Sequence, residues 1–99
     1  MHTEIIFINP KTLIIMLHNG KRTLSAIARE IQQLWVPVNP YAKPYLTAML
    51  SIHSSDPDYT YYADDAYTIV CYFLANASTW RGDDARRIKK ELKANYKIK

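Results

Sequence analysis

The sequence predicts an α+β fold, a single domain in which a small N-terminal antiparallel hairpin or sheet packs on about four helices. Residues 1–23 hold short β-branched or apolar runs separated by turn residues. Residues 24–99 hold stretches whose apolar positions recur at helical spacing. At 99 residues, with 48% hydrophobic and 22% charged residues, the chain has the composition of a globular domain and the length for one core.

The strands are expected at Glu4-Ile5-Ile6-Phe7-Ile8 and Thr12-Leu13-Ile14-Ile15-Met16-Leu17, parted by Asn9-Pro10-Lys11. Asn19-Gly20 then supplies the pair that reaches positive φ with least strain, which favours a second, shorter hairpin. Leu24, Ile27, Ala28, Ile31, Leu34 and Trp35 mark a helix over 24–35, with Thr23 or Ser25 as cap. A competing reading makes residues 11–17 a helix and Thr23–Ile31 the second helix of a winged-helix motif. Against it, Trp35-Val36-Pro37-Val38-Asn39-Pro40 stands where a short turn and a polar recognition helix should follow.

Three prolines make residues 36–44 a packed connector, and Pro44 suits the first turn of a helix running to about His53 through Tyr45, Leu46, Met49, Leu50 and Ile52. Ser54-Ser55-Asp56-Pro57-Asp58 is turn chemistry, followed by the tyrosine cluster Tyr59-Thr60-Tyr61-Tyr62. A central helix over 64–78 opens on Asp64-Asp65 and carries Ala66, Ile69, Val70, Phe73, Leu74 and Ala77 on one side. Tyr67, Cys71, Tyr72 and Ala75 fill much of its other side, so it is expected to be surrounded by neighbours, with Tyr45, Tyr67 and Tyr72 in the core. The last helix, 83–96, follows Gly82, starts with Asp83-Asp84 and crowds lysines at its end, matching the helix dipole at both termini. Trp80 is expected to pack beneath it.

Charge is unevenly placed. Residues 1–80 hold five Lys/Arg against six Asp/Glu, whereas residues 81–99 hold eight against three. On the last helix Ala85, Ile88, Leu92 and Tyr96 form an apolar stripe, and Arg86, Lys89, Lys90, Lys93 and Lys97 fall on another arc, expected to point to solvent. Such a face can meet a phosphate backbone or an acidic protein surface, and it is also what a solvated C-terminal helix shows. Tyr59, Tyr61 and Tyr62, in a segment without a helical apolar period, are the matching aromatic candidates for an interface. Beside the cations they would favour nucleic acid by stacking bases.

Catalytic and metal signatures are weak. A single cysteine, Cys71, excludes an internal disulfide and a cysteine zinc set, and His2, His18 and His53 are scattered. Reading Asp56 as the start of a calcium loop puts Tyr61 where the sharp turn wants glycine and Tyr67 where a bidentate glutamate is needed. His53-Ser54-Ser55-Asp56 holds triad residue types, but neighbours in sequence seldom converge as general-base catalysis requires. Arg81-Gly82-Asp83 spells an adhesion tripeptide that a helix start already explains. The expectation is a protein without catalytic residues, cofactor or metal. Its longest early apolar run, Ile5 to Ile8, is far too short for a signal or membrane segment, which with the lone cysteine makes a cytoplasmic, membrane-free location the expectation.

The segment from Asp64-Asp65-Ala66-Tyr67 through Cys71-Tyr72-Phe73-Leu74-Ala75-Asn76-Ala77-Ser78-Thr79-Trp80-Arg81-Gly82-Asp83-Asp84-Ala85-Arg86-Arg87-Ile88-Lys89-Lys90-Glu91-Leu92-Lys93-Ala94 resembles one found in small proteins of bacterial phages, plasmids and integrated elements. Pro40-Tyr41-Ala42-Lys43-Pro44-Tyr45-Leu46 extends the likeness more weakly. The resemblance implies a mobile-element protein in a bacterial host cell and carries no catalytic residues. Proteins of that provenance often block host defence complexes, of the anti-CRISPR or anti-restriction kind. The expected partner is therefore a host protein or nucleoprotein complex, and the alternative is a DNA- or RNA-binding regulator using the basic helix or the 24–35 segment. A net charge of +4 departs from the acidic pattern of DNA mimics.

Overall fold

The structure is a computed structural model that describes residues 20–99. In chain order it contains α1 (Leu24–Leu34), α2 (Lys43–Leu50), β1 (Thr60–Tyr61), β2 (Asp64–Asp65), α3 (Ala66–Ala75) and α4 (Asp83–Tyr96). Four helices and a small antiparallel sheet thus make up the described part. The expected strands within residues 1–17, and the competing helix at 11–17, lie outside the described residues. Of the Asn19-Gly20 pair only Gly20 is described; its φ is +85°, but residues 21–23 after it form no strand and lead straight into α1, so the expected second hairpin has no returning strand there.

Each helix is held at its ends by identifiable groups. Thr23, not Ser25, caps α1: its hydroxyl accepts from the Ala26 N–H at 3.2 Å. The Leu24 and Ser25 N–H groups donate to the carbonyls of Ser54 and Ile52 at 2.9 and 2.8 Å, so the segment after α2 satisfies the start of α1. Helix α2 stops at Leu50, short of His53, and its Ser51 N–H turns back to the Ala48 carbonyl. Asp65 caps α3 by accepting from the Thr68 N–H at 2.8 Å, and that bond holds its carboxyl below the usual range. Gly82 precedes α4 with φ +110°, a backbone region in which a side chain is strained. At the far end Lys97 takes the left-handed conformation and the Ile98 N–H returns to the Lys93 carbonyl at 2.8 Å.

The two-stranded sheet falls where the sequence offers only a turn and a tyrosine cluster. Thr60 pairs with Asp65 and Tyr61 with Asp64, and the Tyr62-Ala63 turn between them places Tyr62 at φ +57°. Glycine or asparagine normally marks such a turn, which is why no hairpin was legible here. The Ala66 and Tyr67 N–H groups donate to the Tyr59 and Pro57 carbonyls at 2.7 and 3.0 Å. The hairpin is therefore the anchor for the first turn of α3.

One continuous apolar cluster joins all four helices, with Leu24, Ile27, Ile31, Met49, Phe73 and Ile88 among its fully buried members. Trp35 and Trp80 stack nearly parallel at 5.5 Å, and Trp35 meets Phe73 edge-on at 6.2 Å. Trp80 is buried with its ring stacked on Trp35. Helix α3, by contrast, is buried along Ala66, Ile69, Val70 and Phe73 only. Tyr67 and Tyr72 are exposed and Tyr45 is partly buried against Tyr72, so these tyrosines line the rim of the core. Apolar all-round composition overstated the burial of α3 because tyrosine keeps one wet end.

Candidate binding surfaces

The cations of α4 divide into an inner and an outer set. On the inner side Arg22, 3% exposed, lies between Glu30 and Glu91: its guanidinium donates to Glu30 Oε1 at 2.9 Å and to both Glu91 oxygens at 2.9 and 2.5 Å. Arg87 completes the network by donating to Glu30 Oε2 at 2.8 Å and Asp84 Oδ1 at 3.1 Å. Burial disfavours the charge on Arg22, yet the hydrogen bonds and charges of Glu91 and Glu30 outweigh it and raise its pKa. Arg87 is raised in the same sense, first by Glu30 and then by Asp84. These pairs clamp α1, and Arg22 two residues before it, onto α4.

Lys89 also belongs to the inner set, contrary to the expectation that it points to solvent. Its ammonium donates to the Ala77 and Trp80 carbonyls, both at 2.7 Å, and sits 6.0 Å from the Trp80 ring centroid. These bonds satisfy carbonyls in the bend between α3 and α4. Burial, then the positive charges of Lys93 and Arg81, hold Lys89 below the usual lysine range. Helical-wheel position could place Lys89 beside the outer arc, but it could not show that a loop carbonyl waits within reach.

The outer set is Arg86, Lys90 and Lys93, all exposed. With Lys89 at its edge they line a shallow groove of about 430 Å³. Arg86 also contacts Asp83, one turn earlier, in a pair open to solvent on both sides. Such an exposed pair is readily exchanged for another anion. No carboxylate lines the groove itself. The fifth expected cation, Lys97, is not part of this groove. It ends the helix, roughly 16 Å beyond Arg86 by helical rise, and lines a second groove of about 360 Å³ with Pro57, Asp58, Asp65, Tyr67 and Tyr96.

The expected tyrosines form a separate surface on the hairpin. Tyr62 is 86% exposed, Tyr59 is exposed, and Tyr61 is half-buried against the core with its ring edge-to-face to Tyr62 at 4.6 Å. Tyr61 is thus partly a packing residue. Neither Tyr59, Tyr61 nor Tyr62 lines the Arg86–Lys93 groove. The hairpin's charge is opposite to that of α4: between residues 44 and 80 there are four aspartates, six of the eight tyrosines and no Lys or Arg. Asp56 accepts from the Asp58 N–H at 2.9 Å, which explains its place in the turn.

Two further polar arrangements involve the buried Ser25 and Tyr96. Ser25 Oγ lies 2.9 Å from His53 Nδ1, a spacing that a nucleophile and base could share. Ser25, however, is buried at the start of α1, and its hydroxyl also touches Thr23 Oγ1 at 3.2 Å, so the contact ties the end of α2 to the cap of α1. Tyr96, 1% exposed, has no partner for its hydroxyl among the described residues; burial and the charge of Asp56 push its pKa up to about 12.

No helix among the described residues is long and apolar enough to cross a membrane. No protein-family model, curated protein or solved structure matches the chain.

Proposed function

We propose that this protein is a non-enzymatic binding module that seats an acidic protein surface on the outer ridge of α4, and that it serves a mobile element as an inhibitor of a host defence complex. The observation that carries the binding reading is the groove lined by Arg86, Lys89, Lys90 and Lys93, which gathers cations and no carboxylate. Positive charge held together on a rigid helix attracts an anionic surface from a distance and sets its orientation on contact. The biological setting rests on the resemblance of residues 64–94 to phage and plasmid proteins. An acidic protein is favoured over single-stranded nucleic acid because no aromatic residue lines the groove with the cations.

A nucleic-acid regulator is the second reading, favoured by the run of cations along one helix. It predicts affinity that falls steeply with salt, with a log–log slope of about −0.9 per phosphate neutralised on duplex DNA. Capture of partners by tagged protein from host lysate, with and without nuclease, separates the two. A stoichiometric nuclease-resistant protein lost with R86E/K90E/K93E supports the inhibitor reading. Recovery of nucleic acid alone, lost after nuclease, replaces it.

A further inference from the structure

We infer that the tyrosine hairpin is a docking surface for a second copy of this chain, which it engages through that copy's α4 ridge. The inference rests on the reading of Arg86, Lys90 and Lys93 as an anion-holding surface. Its new element is the hairpin. Asp58 and Asp64 are exposed and make no side-chain ion pair among the described residues; along the chain Asp58 precedes the exposed Tyr59 and Asp64 lies two residues after the exposed Tyr62. Carboxylates beside tyrosine faces suit lysine and arginine, which can pair with the former and lie over the latter. Lys97 shares a groove with Asp58 and Asp65 and offsets part of this charge, but forms no ion pair with either.

The complementary surface is present on the same chain. Arg86, Lys90 and Lys93 line one groove, the hairpin residues line none of it, and no ion pair joins hairpin to ridge among the described residues. Two molecules can form such pairs. Hairpin-to-ridge contact uses different patches on the two copies, so it is heterologous and extends to short chains or closes to a ring. Exposed charge pairs contribute little each, and the association is correspondingly weak and salt-sensitive. A partner that holds the ridge more tightly displaces the second copy.

The test is a charge exchange read by sedimentation equilibrium. The wild-type protein is expected to gain mass with concentration at about 50 mM salt and to return to monomer near about 0.5 M. D58K/D64K carries a basic hairpin and a basic ridge, K90E/K93E an acidic hairpin and an acidic ridge, and each alone should be monomeric. Mixed in equal amounts they should associate, because each then offers what the other lacks. Tyr62→Gly, which suits the positive φ at that position, should lower association about tenfold or more while leaving unfolding unchanged or raising stability. A wild-type monomer at low salt, or a mixture of folded variants that stays monomeric, overturns the proposal. Failure of the exchange alongside loss of host partner by K90E/K93E removes the hairpin contact and leaves the ridge reading intact. Restored association with undiminished partner capture does the reverse.

Discussion

Helix α4 and the hairpin before α3 are both rich in charge, yet the helix commits part of its charge to contacts with other elements, whereas the hairpin commits Asp56 and Asp65 to a local turn and cap. Arg87, Lys89 and Glu91 are committed to the network with Arg22 and Glu30 or to the carbonyls of Ala77 and Trp80. In the hairpin Asp65 caps a helix and Asp56 closes a turn, while Asp58, Asp64, Tyr59 and Tyr62 face solvent. The difference shows that a count of like charges does not measure a binding surface. What matters is which of them the fold has already engaged, and on α4 alternate arcs of the same helix answer differently.

The largest expected effect is at the inner network. Glu30→Ala leaves the buried Arg22 with one carboxylate fewer and should cost about 3–5 kcal/mol, measured by denaturant unfolding. A loss below about 1 kcal/mol would show that water or Glu91 compensates. Next comes alkaline stability. The Tyr96 phenol has a folded-state pKa of about 12 against an ordinary value of 10.0. A raised folded pKa means the neutral form is favoured by folding, so its contribution is complete below the unfolded pKa and is lost as pH rises through the folded one. That loss amounts to about 2–3 kcal/mol, followed as the unfolding midpoint against pH. Tyr96→Phe should flatten the profile in that window.

A sharper comparison sets two neighbouring lysines side by side. Lys89→Met removes a donor from the Trp80 and Ala77 carbonyls, of which Ala77 keeps the Trp80 N–H at 3.0 Å, and should cost about 1–2 kcal/mol, whereas Lys90→Met, on the exposed arc, should change stability by no more than about 0.5 kcal/mol. Equal effects would dissolve the division between inner and outer cations. At the hairpin, Asp65→Ala removes the cap of α3 and should lower the thermal or chemical unfolding midpoint by less than Lys89→Met does. Because its bond to Thr68 lowers the Asp65 pKa, this contribution is present above the unfolded carboxylate pKa and fades as pH falls through the folded one.

Much of the helical part was legible. The 83–96 helix matches α4 residue for residue, because Gly82, the two aspartates and the terminal lysines all act locally on the backbone. The 24–35 and 64–78 helices overran α1 and α3 by one residue and by two or three at each end, since an apolar period does not stop where the hydrogen bonds do. The hairpin was hidden because Tyr62-Ala63 lacks the residues that announce a tight turn. The Arg22 network was hidden for another reason: its partners lie 8 and 69 positions away in sequence, and only the packing of α1 on α4 brings them together. Of the expected site, Arg86, Lys90 and Lys93 share a groove, Lys89 is turned inward, Lys97 sits beside the acids of the hairpin, and Tyr59 and Tyr62 form a surface of their own.

The division of α4 is tested most directly by measuring stability and partner capture together in R86E/K90E/K93E. The expected result is an unfolding free energy within about 1 kcal/mol of wild type, with capture of the nuclease-resistant host partner abolished. Undiminished capture by a fully folded variant would contradict it, and would move the binding surface off the outer ridge.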